Sequence, residues 1–281
     1  MKTVKNRVAA ITGAGSGIGR ATAVLLARNG CNVALSDVNE QGLAETAELC
    51  RAQGVKVDAA RVDVAKREGV HDWADAVARN LGAVHVVVNN AGVALGATIE
   101  DTKYEDFEWL MNINFWGVVY GTKAFLPHLR AAGEGHIVNV SSVFGLIGVP
   151  TQAAYNSAKF AVKGFTEALR QELEVEGVPI GVTCVHPGGI KTNIARNARM
   201  TYRKGWTDER SSSDFEKSFA TTPEKAASDI LAAILKNRRR QLIGGDAVLI
   251  DLMQRMLPTL YQRILVAGAK RRRRKLLEST A

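Results

Sequence analysis

Thr12-Gly13-Ala14-Gly15-Ser16-Gly17-Ile18-Gly19-Arg20 is the stretch that decides the fold. An apolar run, 8–11, precedes it, and a helical pattern over 18–28 follows it. Glycine lets the backbone turn sharply and approach a ligand with no Cβ in the way. The helix that begins here offers free N–H groups and a positive dipole end, which suit a pyrophosphate. The spacing of Gly13, Gly17 and Gly19 is GxxxGxG; the GxGxxG pattern fails because residue 18 is Ile. A glycine cluster alone is also what a plain tight turn looks like. Set between a strand and a helix, it reads as a dinucleotide-binding turn, with Gly13, Gly15, Ser16, Gly17, Ile18 and Gly19 against the cofactor.

Outward from this turn, strand-like runs alternate with helical patterns. The further strands are expected at 32–36, 55–62, 84–88, 136–140, 180–185 and 241–243. Helices are expected up to Leu49, over 69–79, from Tyr104 and from Ala153. The consecutive valines Val86, Val87 and Val88 suggest a strand buried on both faces. Such alternation predicts an α/β protein with a doubly wound parallel sheet, a Rossmann fold of about seven strands with helices on both faces. Ligands then bind at the carboxyl ends of the strands. A chain of 281 residues without internal repeats or linkers fits one dinucleotide-binding and catalytic domain over 1–281.

With 46% hydrophobic and 23% charged residues, widespread disorder is excluded. Residues 1–7 lack the apolar stretch of a signal peptide, and no apolar run reaches the ~20 residues of a membrane span. Cys31, Cys50 and Cys184 form no CxxC pair. The expected location is cytoplasmic, or peripheral at a membrane surface. The net charge of +9 is uneven: residues 236–275 hold twelve basic and two acidic residues, so the rest of the chain sums to about −1.

Asp37 follows the second strand, 18 residues after Gly19. A carboxylate there accepts hydrogen bonds from ribose hydroxyls and repels a 2′-phosphate, which favours NAD over NADP. Read alone, Asp37 is equally a helix cap before Val38-Asn39-Glu40, and Arg20 keeps NADP open.

The chain resembles the short-chain dehydrogenase/reductase family over roughly residues 5–192. The resemblance rests on an ordered set: residues 12–19, Asp63-Val64, Asn89-Asn90-Ala91-Gly92, Asn114, Ser142, Tyr155-x-x-x-Lys159 and Pro187-Gly188. It implies that Asp63 and Val64 flank the adenine and that Asn90, Ala91 and Gly92 line the cofactor. It implies that Pro187, Gly188, Ile190 and Thr192 lie along the nicotinamide end. It also implies that Asn114 anchors a water leading to Lys159, and that Lys159 holds the ribose hydroxyls.

Tyr155 and Lys159, four apart on a helix, share one face. A tyrosine pKa near 10 is too high for a base at neutrality. A neighbouring ammonium together with a positive nicotinamide is expected to lower it by about 2–3 units. Tyr155 then exchanges a proton with a substrate oxygen that Ser142 holds. Read alone, Tyr-x-x-x-Lys recurs by chance and Ser141-Ser142 is a possible cap. In family register, Asn114, Ser142, Tyr155 and Lys159 are the expected catalytic group. No metal site is expected: His136 and His186 lack a second ligand at metal spacing, and Cys184 reads as a small core residue.

Val93-Ala94-Leu95, residues 143–147 and Val149-Pro150 carry no charge. They either pack the core or line a pocket for a hydrophobic secondary alcohol or ketone, steroid- or lipid-like. The polar segment 193–222 is the expected substrate lid, with Met200, Tyr202, Trp206 and Phe215 over the ligand. Residues 247–268 read as an apolar helix kinked at Pro258, followed by the basic run 270–275. The helix is expected to pack on its own domain or at an oligomer interface; an anchor on anionic lipid is the alternative. No nucleic-acid role is expected, since the charge run has no aromatic interleaving. The resemblance implies a homo-oligomer, dimer or tetramer, through the helices containing 109–125 and 155–169; the tail puts the usual tetramer in question. The alternatives to an NAD(H)-linked oxidoreductase are an NADP-dependent carbonyl reductase and a dinucleotide-sensing binding protein.

Overall fold

The computed structural model describes residues 1–201, 206 and 220–278. Seven parallel strands form its centre, in the spatial order β3 (Val57–Arg61), β2 (Asn32–Asp37), β1 (Val8–Thr12), β4 (Val86–Asn89), β6 (Gly135–Val140), β7 (Ile180–Pro187) and β9 (Arg240–Ile243). The order reverses between β1 and β4, where Ile11 pairs with Val88, and this reversal opens a crevice at the strands' carboxyl ends. Successive side chains point to opposite faces. Ala9 and Ile11 therefore join one core, with α1 (Gly17–Arg28), α2 (Glu40–Arg51) and α7 (Pro223–Leu235). Val8 and Ala10 join the other, with α3 (Arg67–Leu81), α5 (Gly117–Ala131) and α6 (Ala153–Val175). Each of the seven expected strands is present in this sheet, with ends shifted by a residue or two.

Three features were not foreseen. α4 (Tyr104–Met111) passes into a π turn, Asn112–Trp116, before α5. Such turns insert a residue into a helix and re-aim a side chain; here Asn114 is fully buried within the turn. β5 (Leu95–Gly96) and β8 (Arg199–Met200) form a second, two-stranded parallel sheet. Arg199 also pairs with Asp106 at 2.7 Å and lies 3.7 Å over the Trp109 ring, which ties this small sheet to α4.

The C-terminal reading needs correction. In place of one kinked helix there are two, α8 (Gly245–Met256) and α9 (Leu260–Glu278), separated around Pro258. Proline has no N–H to continue the ladder. α9 runs on through 270–275. Packing on its own domain is partial: the pair touches the body through Ala247, the half-buried Met253 and Leu257, and Tyr261. Val248, Leu249, Leu252, Met256, Leu260 and Ile264 are all exposed, while Ala247 in α8 and Tyr261 in α9 are buried. Periodicity identified the apolar residues but carried no information on what covers them. Among the described residues no helix is long and apolar enough to cross a membrane.

Candidate active site

The glycine turn sits at the mouth of the crevice. Gly13 and Gly17 have φ of +65° and +53°, a region side-chain-bearing residues avoid. A Cβ on Gly13 would lie 2.8 Å from the Ala91 Cα, and one on Gly17 3.0 Å from Thr192 Cγ2. Asn90 pins the turn to β4. Its Nδ2 donates to Thr12 O (3.0 Å) and Gly13 O (3.1 Å), and Thr12 Oγ1 accepts from the Asn90 and Ala91 N–H groups at 3.0 and 3.1 Å. Ser16 is the N-cap of α1, but its side chain makes no cap bond. The first N–H groups of the helix therefore remain for an anion. This narrow cradle, closed by Thr192 opposite Gly17, fits a dinucleotide pyrophosphate. Ile18, one residue further, is partly buried against the core.

At the second strand, Asp37 Oδ2 accepts from Gly15 N at 2.8 Å and Oδ1 from Asn39 N at 2.9 Å. The cap of α2 is Asn39, whose side chain accepts from Gly42 N, so Asp37 is not the cap. Arg20 is held behind the turn: its NH2 group donates to Gly15 O (2.6 Å), Gly42 O (3.1 Å) and Glu45 Oε2 (2.8 Å). Further along the crevice, Asp63 Oδ1 accepts from Ala65 N at 3.0 Å, and Val64 is buried beside Gly117.

Pro187 ends β7, and Gly188 N donates to Ile243 O at 2.9 Å. Ile190 is buried and bridges to Thr221. Sequence reasoning missed Asp246, in the first turn of α8. Its Oδ2 accepts from Gly189 N at 2.6 Å and so fixes the loop carrying Gly188, Ile190 and Thr192. No local motif marks it, because the contact spans 57 residues of chain.

The four expected catalytic residues come together from three elements. Ser142, just past β6, interacts with the Tyr155 phenol and favours its ionised form. It also accepts from Phe144 N at 3.1 Å, so it caps the short turn after it as well. Lys159 Nζ lies 5.5 Å from the Tyr155 ring centroid and donates to Val140 O at 3.0 Å. Asn114 brackets Val93, accepting from its N–H at 2.8 Å and donating to its carbonyl at 2.9 Å. Gly92 has Asn114 Oδ1 on one side and Lys159 Nζ on the other, 3.3 and 3.6 Å from where its Cβ would be.

The electrostatics differ from expectation. Burial pushes the Tyr155 phenol up to about 12, and the interaction with Ser142 offsets only part of that. Burial pushes Lys159 down to about 8. Lys159 does not offset this rise, its ammonium donating to Val140 O; the expected lowering by ammonium and nicotinamide together concerns the protein with its dinucleotide. Desolvation then dominates both groups.

Asn156, beside Tyr155, was also missed. Its Nδ2 donates to Phe144 O (2.8 Å) and Ile147 O (2.9 Å), and its Oδ1 accepts from Val149 N (3.1 Å), so it clamps the apolar loop after Ser142. A polar amide within a helix, next to the tyrosine, was the available signal. Of the apolar stretches, Leu95, Val143, Leu146 and Ile147 pack into the protein. Val93, Ala94, Phe144 and Val149 remain partly exposed, and the Phe144 ring meets Tyr155 edge-on at 6.2 Å. Of the expected lid, Tyr202 and Phe215 lie outside the described residues, while Met200 pairs through β8 with Gly96.

His136 lies near the start of β6 and His186 near the end of β7, and both are fully buried. Burial holds them down to about 3 and about 4. It pushes the Cys184 thiol up to about 12, which makes it a poor nucleophile. Among the described residues no three His, Cys, Asp or Glu side chains group as a metal site.

Residues 7–203 match the short chain dehydrogenase family. The Mycobacterium tuberculosis protein SadH is 50% identical over 95% of this chain and 97% of its own. Estradiol 17-beta-dehydrogenase 11 of Rattus norvegicus is 33% identical over 94% of this chain and 84% of its own. A short chain dehydrogenase/reductase from Burkholderia phymatum, solved in complex with NAD, superposes with a TM-score of 0.84 at 31% identity, covering 93% of this chain and 97% of that one.

Proposed function

The chain belongs to the short chain dehydrogenase family, and from that premise we propose that it transfers a hydride between NAD(H) and a hydrophobic secondary alcohol or ketone of steroid or lipid type. The observation that carries this reading is the buried Tyr155 phenol, which interacts with Ser142 and has the Lys159 ammonium 5.5 Å from its ring centroid. Tyr155 takes the proton from a substrate hydroxyl, or returns it to a carbonyl, at its phenolic oxygen. Ser142 holds that substrate oxygen. Lys159 binds the ribose hydroxyls and contributes positive charge. Asn114 sets the Val93 backbone beside them and leads protons towards Lys159 through water. The dinucleotide, when bound, supplies the hydride carrier and a positive ring that draws the phenol pKa down.

Choice of NAD rests on Asp37, which faces Gly15, and on Arg20, whose guanidinium is already engaged by three acceptors. Asp63 and Val64 take the adenine end, and Ile190 and Thr192 the nicotinamide end. The partly exposed Val93, Ala94, Phe144 and Val149 present a dry surface to substrate, which supports an apolar ring or chain. Copies of the chain associate through the segments 109–125 and 155–169, where Trp116, at the end of the π turn before α5, and Phe160, in α6, are exposed. The test is a screen of ring and long-chain secondary alcohols with NAD, read by absorbance of the reduced cofactor. Reduction with at least one, abolished in Tyr155→Phe, supports the assignment. No reduction with any of them, or equal reduction in the variant, overturns it.

A further inference from the structure

α8 is an inverted helix. Its acid Asp251 turns inward, bidentate to Arg240 of β9 at 2.5 and 3.2 Å, while Arg255 reaches it from the next turn at 3.1 Å. Four of its apolar residues turn outward: Val248, Leu249, Leu252 and Met256 are 53–70% exposed, while Ala247 is buried. Spaced i, i+1, i+4 and i+8, these four form one stripe. α9 extends the exposed apolar surface with Leu260 and Ile264, then carries the basic run 270–275, of which Lys270, Arg271, Arg273 and Arg274 are exposed. The body holds α9 through Tyr261, whose hydroxyl accepts from Gly148 N at 3.4 Å, in the loop clamped by Asn156. Arg273 lies 5.7 Å from the Trp206 ring centroid, so an amphipathic ring sits beside the charge.

We propose that α8 and α9 dock the protein on an anionic lipid surface, the apolar stripe entering the headgroup boundary and the basic run lying against the acidic headgroups. An exposed apolar stripe beside clustered positive charge meets the two requirements for stable interfacial binding. A second copy of the chain fits less well. A two-fold contact places the same patch on both partners and would bring two strongly basic segments together. Because Tyr261 reaches the loop after Ser142, docking sets the substrate side of the enzyme beside the lipid. Delivery of substrate from the membrane rests on the apolar-substrate reading, whereas docking does not.

The test is flotation of the full chain with vesicles of phosphatidylcholine alone and of phosphatidylcholine mixed with phosphatidylserine, at low and at physiological ionic strength. Binding is expected only with phosphatidylserine, and it should weaken with salt, since screening shortens charge reach to about 8 Å near physiological strength. Leu252→Asp should weaken binding at least about tenfold by removing buried apolar area. Replacing residues 270–275 with glutamine should do so too, each charge being worth about fivefold. Leu252 and the described side chains of the run, Lys270, Arg271, Arg273 and Arg274, are exposed, and circular dichroism with thermal unfolding verifies that the variants fold. Absence of wild-type binding overturns the proposal, as does equal binding to both vesicles. So does unchanged binding of Leu252→Asp, most directly where sedimentation shows its oligomer size altered, because the stripe is then a contact between copies. Vesicle binding without turnover of any alcohol leaves docking standing and removes the catalytic reading instead.

Discussion

The crevice above β1 and β4 and the helical pair α8–α9 follow opposite rules. In the crevice, polar groups are buried and partnered: Asn114 brackets Val93, Asn90 grips the glycine turn, and Lys159 is tied to Val140 O. In the pair, a stripe of large apolar groups, Val248, Leu249, Leu252 and Met256, is exposed. Burying a polar side chain is tolerated when the backbone answers each donor and acceptor. Exposing several large apolar side chains on one stripe is tolerated when something outside the fold covers them. The first region is therefore complete within one chain, whereas the second, under the docking proposed above, is completed from outside it.

The largest expected effect falls on the crevice. Tyr155→Phe keeps the ring and its edge-on contact with Phe144 but removes the hydroxyl. Turnover should fall at least about 100-fold, with dinucleotide binding retained. Burial raises the phenol, so alcohol oxidation by the wild type should climb as pH rises, while the residual rate of the variant should stay flat. Near-normal turnover in Tyr155→Phe breaks the comparison at its root, since the buried polar cluster would then be structural only.

The fold was legible because each strand carries its own signature and a glycine turn fixes the point of reversal. That Tyr155 and Lys159 share a face was legible from helix pitch, whereas Asn114 and Ser142 were marked only by the ordered motifs of the family resemblance. Three things were not legible. The direction of the Tyr155 shift depends on where Lys159 points, and backbone periodicity does not set that. Asp246 reaches Gly189 only because β9 delivers the start of α8 beside β7. The exposure of Leu249 and Leu252 depends on Asp251 being claimed by Arg240, a pairing that local apolar spacing does not reveal.

Acid sharpens the comparison next. His136 and His186 are neutral in the fold, held to about 3 and about 4, against an ordinary value of 6.5. Above pH 6.5 neither state binds the proton and stability is indifferent to these groups. Below it the unfolded chain takes the proton and the folded chain does not, so stability falls until pH reaches the folded values. For His186 the loss approaches about 3 kcal/mol near pH 4. Unfolding free energies of His186→Asn measured between these limits should show a pH slope shallower by about 1.4 kcal/mol per unit than the wild type. An unchanged slope means that the buried histidine is already charged.

Asp37→Ala should have a smaller effect. It removes a ribose acceptor and the repulsion of a 2′-phosphate, so KM for NAD should rise about tenfold while relative use of NADP increases. A wild type that already prefers NADP contradicts the reading of Asp37, and Arg20 would then have to leave Glu45 to reach the phosphate.

The smallest effect belongs to α8, and its smallness is the point. Ile230 in α7 is fully buried, and truncating it to alanine should cost about 2–5 kcal/mol of stability. Leu252 is the same size but 53% exposed. Leu252→Ala should change stability by no more than about 0.5 kcal/mol, because the chain loses little burial of its own. Parallel denaturant titrations of the two variants check this directly. A loss above about 1 kcal/mol for Leu252→Ala means that the stripe is covered in solution without lipid. Repeating the titration at several protein concentrations then separates the causes, since contact between copies makes the midpoint depend on concentration and packing within the chain does not. A stripe that is neutral for stability yet needed for vesicle binding is the outcome that distinguishes a docking surface from a misplaced piece of core.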